Sequence, residues 1–160
     1  MFTGPEIVET LEGVGVTHVI WVPDSATGPW EASLEASQKL TLVRVCREGE
    51  AWPLAAGLML GGKSPFVIMQ TTGLFESGDA LRNVLFDLNL PIFSLVGVRN
   101  GLAAESRDSA QTFAEPILRA WGVDCAWIRD EADKRRLGEH YLACRTANRV
   151  GMALLAEEPM

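Results

Sequence analysis

The chain has 160 residues, 48% of them hydrophobic and 22% charged, which suits one domain with a sizeable core and is ordinary globular composition, not disorder. A net charge of −7 argues against a nucleic-acid surface, because phosphate recognition needs clustered cations. Three cysteines stand far apart with no metal-ligand spacing, no apolar run reaches membrane-spanning length and no signal-peptide pattern opens the chain, so a soluble, cytoplasmic protein with free thiols is expected.

Thr3-Gly4-Pro5-Glu6 reads as a helix start, with Thr3 as cap and Glu6 closing a capping box. Ile7, Val8, Leu11 and Val14 form its apolar stripe, and Gly13 and Gly15 end it. Residues 17–22 read as a buried strand stopped by Pro23, with His18 an ordinary strand-start residue, and 29–37 as a short helix. A second strand is expected over 40–46, with Cys46 buried in it, followed by a helix over 48–60. The third strand, 65–70, ends in a polar turn, Thr71-Thr72-Gly73, before a helix over 77–88. A fourth strand covers 91–96, and 97–108 is the longest loop, of the kind that in compact domains is functional or mobile. A helix over 110–121 closed by Gly122, a strand over 125–128, an exposed charged helix over 131–147 and a strand over 150–156 complete the chain.

Strands alternating with helices at this spacing predict right-handed crossovers and an α/β fold: a three-layer α/β/α sandwich around a mostly parallel six-stranded sheet, in one domain. Such sheets bind ligands outside the carboxyl ends of their strands. Four strand ends therefore meet on one edge: Asp24-Ser25, Arg47-Glu48, Gln70-Thr71-Thr72-Gly73 and Gly97 onward. Glu48 precedes the small-residue run Ala51, Ala55, Ala56 and Gly57, which lets a flat ligand or another chain come close. A carboxylate in such surroundings suits hydrogen bonding to a ring nitrogen or proton exchange near neutrality. The plainer reading is that Glu48 and Glu50 only start a helix, where the macrodipole favours acids.

Glu48-Gly49-Glu50-Ala51 with Ala55-Ala56-Gly57 resembles the signature of the pyrimidine-binding domain of thiamine-diphosphate enzymes, most of all phosphonopyruvate and sulfopyruvate decarboxylases. Val22-Pro23-Asp24-Ser25 resembles their first-strand loop, Met69-Gln70-Thr71-Thr72-Gly73-Leu74 their Met-Gln-Asn-Ser-Gly-Leu run, and Gly97-Val98-Arg99 their Gly-Trp-Arg. The four matches reach across about two thirds of the chain in the right order. The resemblance implies that Glu48 hydrogen-bonds the cofactor's aminopyrimidine and favours its imino tautomer, that Gln70, Thr71, Thr72 and Gly73 lie beside the ring, and that Asp24, Ser25 and Arg99 face a small 2-oxo acid, with Asp24 able to relay a proton. The cofactor is the electron sink while carbon dioxide leaves.

The resemblance also implies a diphosphate-binding partner subunit that holds Mg2+ through Gly-Asp-Gly and a downstream Asn, within a hetero-oligomer; alone, the chain would be a homodimer. Gly78-Asp79-Ala80 does not fit that role, because no strand runs into it, so no metal ligand is assigned here. Phe75-Glu76 replaces the family's Gly-Asn, and Asp108-Ser109-Ala110-Gln111-Thr112 lacks the Pro and His of its Asp-Glu-Pro-Gln-His run. Those departures make a non-catalytic binding or assembly module the second reading. A flavodoxin-like nucleotide binder fits less well, since no glycine-rich loop follows the first strand. Cys46 beside Arg47 and the five tryptophans are read as structural.

Overall fold

Parallel strands cannot be joined by tight turns, so each needs a crossover long enough to return the chain to the same end of the sheet, and the alternating pattern supplies one each time. In the computed structural model, which describes residues 1–103 and 105–159, six strands form one all-parallel sheet in the order β2-β1-β3-β4-β6-β5. They are β1 (His18–Trp21), β2 (Thr41–Arg44), β3 (Pro65–Gln70), β4 (Phe93–Val98), β5 (Asp124–Ile128) and β6 (Gly151–Ala156). The helices are α1 (Gly4–Gly13), α2 (Glu31–Ala36), α3 (Glu48–Leu60), α4 (Thr71–Glu76), α5 (Gly78–Arg82), α6 (Ser109–Ala120) and α7 (Arg135–Thr146). This is the expected three-layer α/β/α sandwich.

Alternate strand residues feed two cores. Val19, Trp21, Phe66, Ile68, Phe93 and Leu155 pack with Ile7, Leu11, Leu34 and Tyr141 of α1, α2 and α7. Ile20, Val67, Met69, Val96 and Leu154 pack with Trp52, Ala55, Leu74, Leu81 and Leu118 of α3 to α6. The chain leaves β1 toward α2 on the first face and leaves β3 toward α4 on the second. That divergence makes the carboxyl ends of neighbouring strands β1 and β3 the topological switch point, where open parallel sheets place their ligands.

The Thr3 capping box forms as expected, with the Thr3 N–H donating to Glu6 at 2.7 Å. Gly122 has φ +68, the left-handed turn after α6 that favours glycine. Other boundaries differ for identifiable reasons. β2 stops at Arg44 because the Glu50 carboxylate takes the N–H groups of Cys46 (3.0 Å) and Arg47 (3.3 Å), removing them from any ladder. Cys46 is consequently exposed rather than buried in a strand. Thr71-Thr72-Gly73 is the first turn of α4, entered directly from β3 through an extended Gln70, rather than a polar turn. The helix expected over 77–88 divides into α5 and a π-helical segment, Asn83–Asp87, closed by Asn89 at φ 50. α7 begins late because side chains of Asp130 and Asp133 bond the backbone N–H groups of Asp133 and Arg129 and hold a series of turns. Within the 97–108 loop, Gly97 and Val98 belong to β4, and Ala104 lies outside the described residues.

Trp21, Trp30 and Trp52 are fully buried, and each indole N–H has a partner: Thr27 Oγ1, the Phe2 carbonyl and Ser77 Oγ respectively. Ser77→Ala strands the Trp52 N–H in the core beneath α4. The expected loss is about 1–3 kcal/mol, read as a lower urea midpoint with an unchanged m-value. Thr72→Ala, at an exposed position of α4, should stay within about 0.5 kcal/mol of wild type in the same measurement.

Candidate active site

A helix that starts where a parallel strand ends brings its first residues to the ligand edge of the sheet, and α3 and α4 both do so. Glu50, not Glu48, is the acid that caps α3, since its carboxylate bonds the Cys46 and Arg47 N–H groups. Glu48 is left half-buried, and its carboxylate accepts no hydrogen bond from any described residue. Its side chain lies against Gly73 of α4, where an added Cβ would stand 2.3 Å from Glu48 Cγ and 2.4 Å from Oε1. The glycine of α4 is the space in which Glu48 sits.

The bulk and charge that set this chain's 75–76 pair apart have a structural use. Arg47 pairs with Glu76, donating through Nε at 3.1 Å as well as through Nη2, and Glu76 Oε2 accepts the Gly49 N–H at 3.0 Å. Arg47 holds the Glu76 carboxyl below the usual carboxylate range. This clamp joins the start of α3 to the end of α4 around the Glu48–Gly73 contact, and it cancels the added negative charge.

The other expected residues are placed as follows. Thr71 is buried, and its hydroxyl donates to the Gly97 carbonyl at 2.9 Å, fixing the end of β3 to the end of β4. Gln70 is half-buried, Thr72 and Ser25 exposed. Asp24 is locked into its own loop: Oδ1 accepts the Ala26 and Thr27 N–H groups, both at 2.8 Å, and Oδ2 accepts the Thr27 hydroxyl at 2.7 Å. Thr27 in turn accepts the Trp21 N–H, so Asp24 is a fixed negative charge tied to the core. Arg99 forks onto Asp108 at 2.7 and 3.2 Å, which holds the Asp108 carboxyl down at about 2. Asp108 also caps α6 through the Ala110 N–H and accepts from Asn100 Nδ2. Arg107 is exposed and lines a polar groove of about 730 Å³ together with Ser106, Gln111, Glu115 and Trp127. His18 sits at the amino end of β1, bonded to Thr17 and remote from this edge.

Two features escape a reading of the sequence. Glu157, one residue past β6, is buried with its Oε1 unpartnered, and burial pushes its carboxyl up to about 7. It is the strongly desolvated acid of this edge; the strand-then-acid pattern that singles out Glu48 also describes it. At the opposite end of the sheet, Asp124, His140 and Cys144 come together although their spacing announces no cluster. Arg149 already bridges Asp124 there at 2.6 Å, and a guanidinium in that position opposes a cation.

No protein-family model matches the chain. Two curated relatives, both phosphonopyruvate decarboxylases, align over 91 residues: 33% identity with that of Streptomyces viridochromogenes and 32% with that of Streptomyces hygroscopicus. The alignment takes in 57% of this chain, which spans 23% of the length of each relative. The chain is thus distantly similar, over rather more than half its length, to a portion of two decarboxylases.

Proposed function

We propose that this chain is the pyrimidine-binding unit of a thiamine-diphosphate-dependent 2-oxo acid decarboxylase, with Glu48 engaging the cofactor where the chain meets a diphosphate-binding partner. The observation that carries the reading is the state of Glu48. It is half-buried at the carboxyl edge, excused from capping by Glu50, without a described hydrogen-bond partner, and opposed by a residue with no side chain. The similarity to two decarboxylases supports the same class of reaction.

The residues fit an aminopyrimidine. A carboxyl group can bond one of its ring nitrogens, and the missing Cβ of Gly73 gives the Glu48 side chain its place at the sheet edge. Bound there, thiamine diphosphate supplies the electron sink that lets a 2-oxo acid release carbon dioxide. Glu48 would hold the ring through a hydrogen bond to its carboxyl group, while the Arg47–Glu76 clamp fixes the helix ends that carry it. Thr71 ties the end of β3 to the end of β4 through Gly97, and on this reading Asp24, Ser25 and Arg99 face the substrate. Arg99 meets a substrate anion as the outer half of its ion pair with Asp108. The described residues do not fit Mg2+ and the diphosphate: Asp79 has an 85% exposed side chain and pairs with Arg82 of its own helix. That load falls to the partner subunit.

Glu48→Gln keeps the shape and removes the acid. With the diphosphate-binding partner, thiamine diphosphate and Mg2+ present, its kcat for carbon dioxide release should fall about 10²-fold or more, with assembly intact by size exclusion. Wild-type turnover in that variant would end the assignment. Gly73→Ala tests position rather than charge. Its methyl displaces the Glu48 side chain, and the expected loss of turnover is about tenfold to a hundredfold. Tm should fall modestly, because the methyl meets Glu48 Cγ and that overpacking outweighs the roughly 1 kcal/mol alanine gains over glycine within a helix; unchanged turnover would show that the location of Glu48 is immaterial.

A further inference from the structure

The main chain of Glu157 is held on both sides. Its N–H donates to the Val98 carbonyl at 3.0 Å, and its carbonyl accepts the Leu102 N–H at 3.1 Å. The turn between those partners lies on the end of β6, with Gly101 so near that a Cβ would stand 2.8 Å from Ala156 Cα. The side chain is 5% exposed and crosses Gly97, where a Cβ would fall 2.1 Å from Oε1. Only glycine at position 97 admits it. Oε1 nevertheless finds no hydrogen-bond partner among the described residues, an expensive state for a buried carboxyl oxygen and one that calls for a proton or a ligand.

Position 157 continues the row of Leu155, on the face covered by α1, α2 and α7, and the Asp24 loop leads into α2 on that same face. Two charged groups act on Glu157. Desolvation leads in raising its pKa to about 7, the fixed carboxylate of Asp24 raises it further, and Arg99, whose charge is shared with Asp108, lowers it.

We infer that Glu157 is a catalytic acid at the carboxyl edge of the sheet, the group that delivers the proton replacing the departing carboxylate. The inference rests on the decarboxylase reading above. Simple decarboxylation of a 2-oxo acid balances as RCOCO2− + H+ → RCHO + CO2. The C–CO2 bond breaks and leaves its electron pair on carbon, the O–H bond of the Glu157 carboxyl breaks as a C–H bond forms, and the carboxylate regains its proton from solvent. Glu48 serves the cofactor and Glu157 the substrate.

The same carboxyl links stability to pH. Its folded value, about 7, lies above the ordinary 4.5, so the native state binds more protons than the unfolded chain between those limits. Its contribution to stability is therefore full below about 4.5, falls as pH rises through the window, and is gone above about 7.

The test uses Glu157→Gln, with Glu157→Asp as the conservative variant. In the complex with the diphosphate-binding partner, thiamine diphosphate and Mg2+, with phosphonopyruvate and pyruvate as probes, Glu157→Gln should lower kcat about 10²- to 10⁴-fold. KM should stay near wild type, the alkaline limb near pH 7 should vanish, and Glu157→Asp should restore part of the rate and the limb. A second readout needs neither partner nor cofactor: the carboxyl 13C resonance titrating near pH 7 should be missing from Glu157→Gln, and its denaturant midpoint should fall less between pH 4.5 and 7. Wild-type kcat and pH profile in Glu157→Gln, or no carboxyl titrating near 7 in the wild-type chain, overturn the proposal. A wild-type complex that releases no carbon dioxide from either probe overturns the decarboxylase reading and this catalytic role with it, even where the 13C titration is as expected.

Discussion

Two carboxyl groups at the edge of this sheet sit where they do because the residue facing each has no side chain. Glu48 lies over Gly73 and Glu157 over Gly97, and in both places even one methyl would overlap carboxyl atoms. Neither glycine has positive φ, so backbone freedom is not the reason for it; the reason is space. Gly73 carries a cost, since glycine inside a short helix weakens it by roughly 1 kcal/mol against alanine. The Arg47–Glu76 pair, the buried Trp52–Ser77 hydrogen bond and the Thr71–Gly97 hydrogen bond hold α3, α4 and the strand ends around that weak point. The edge is thus built from its backbone outward.

The acids near this edge divide into two groups. Glu50, Glu76, Asp24 and Asp108 each take backbone N–H groups, with Arg47 and Arg99 added to Glu76 and Asp108 and the Thr27 hydroxyl to Asp24. They are structural, and together they let a chain of net charge −7 gather acids in one place without mutual repulsion opening it. Glu48 accepts nothing from the described residues, and Glu157 keeps an orphan oxygen. Chemistry at a carboxyl group needs a lone pair or a proton that the fold has not already used. That contrast sets these two apart from the acids used in capping and pairing.

Much of this architecture is legible in the chain. β3 is expected and found over residues 65–70, because an unbroken apolar run between Gly-rich and polar stretches has one solution in a sheet covered on both faces. The Thr3–Glu6 box and Gly122 are local signals whose physics lies wholly within a few residues. What the chain conceals is which side chain claims which backbone group, and what each glycine makes room for. Cys46 reads as the end of a strand, yet the Glu50 carboxylate claims its N–H. Thr71-Thr72-Gly73 reads as a turn because small polar residues favour turns, and nothing local says that Gly73 is there to clear Glu48. Glu157 is the hardest to find. Beside Glu158 it reads as solvated charge, and its burial depends on the turn after β4 folding back onto it, a contact that spacing in the sequence does not announce.

The two unclaimed carboxyl groups also belong to different sides of the sheet. Glu48 stands with α3 and α4, whose apolar residues pack on the face of Ile20 and Val67, whereas Glu157 extends the row of Leu155 on the face of Trp21 and Ile68. A ligand that engages both must pass over the strand ends rather than lie along one face. The chain diverges after β1 and β3 at that point, since the β1 loop leaves toward α2 and β3 enters α4 on the other side. Under the proposed function, a cofactor ring on one side and substrate on the other would keep Glu48 and Glu157 in separate roles. Two carboxyl groups side by side would instead force each other to share a single charge, and neither could do its work independently. Separation across a parallel sheet's edge lets one fold hold two acids in different environments, with Gly73 and Gly97 as the two places where the backbone makes room.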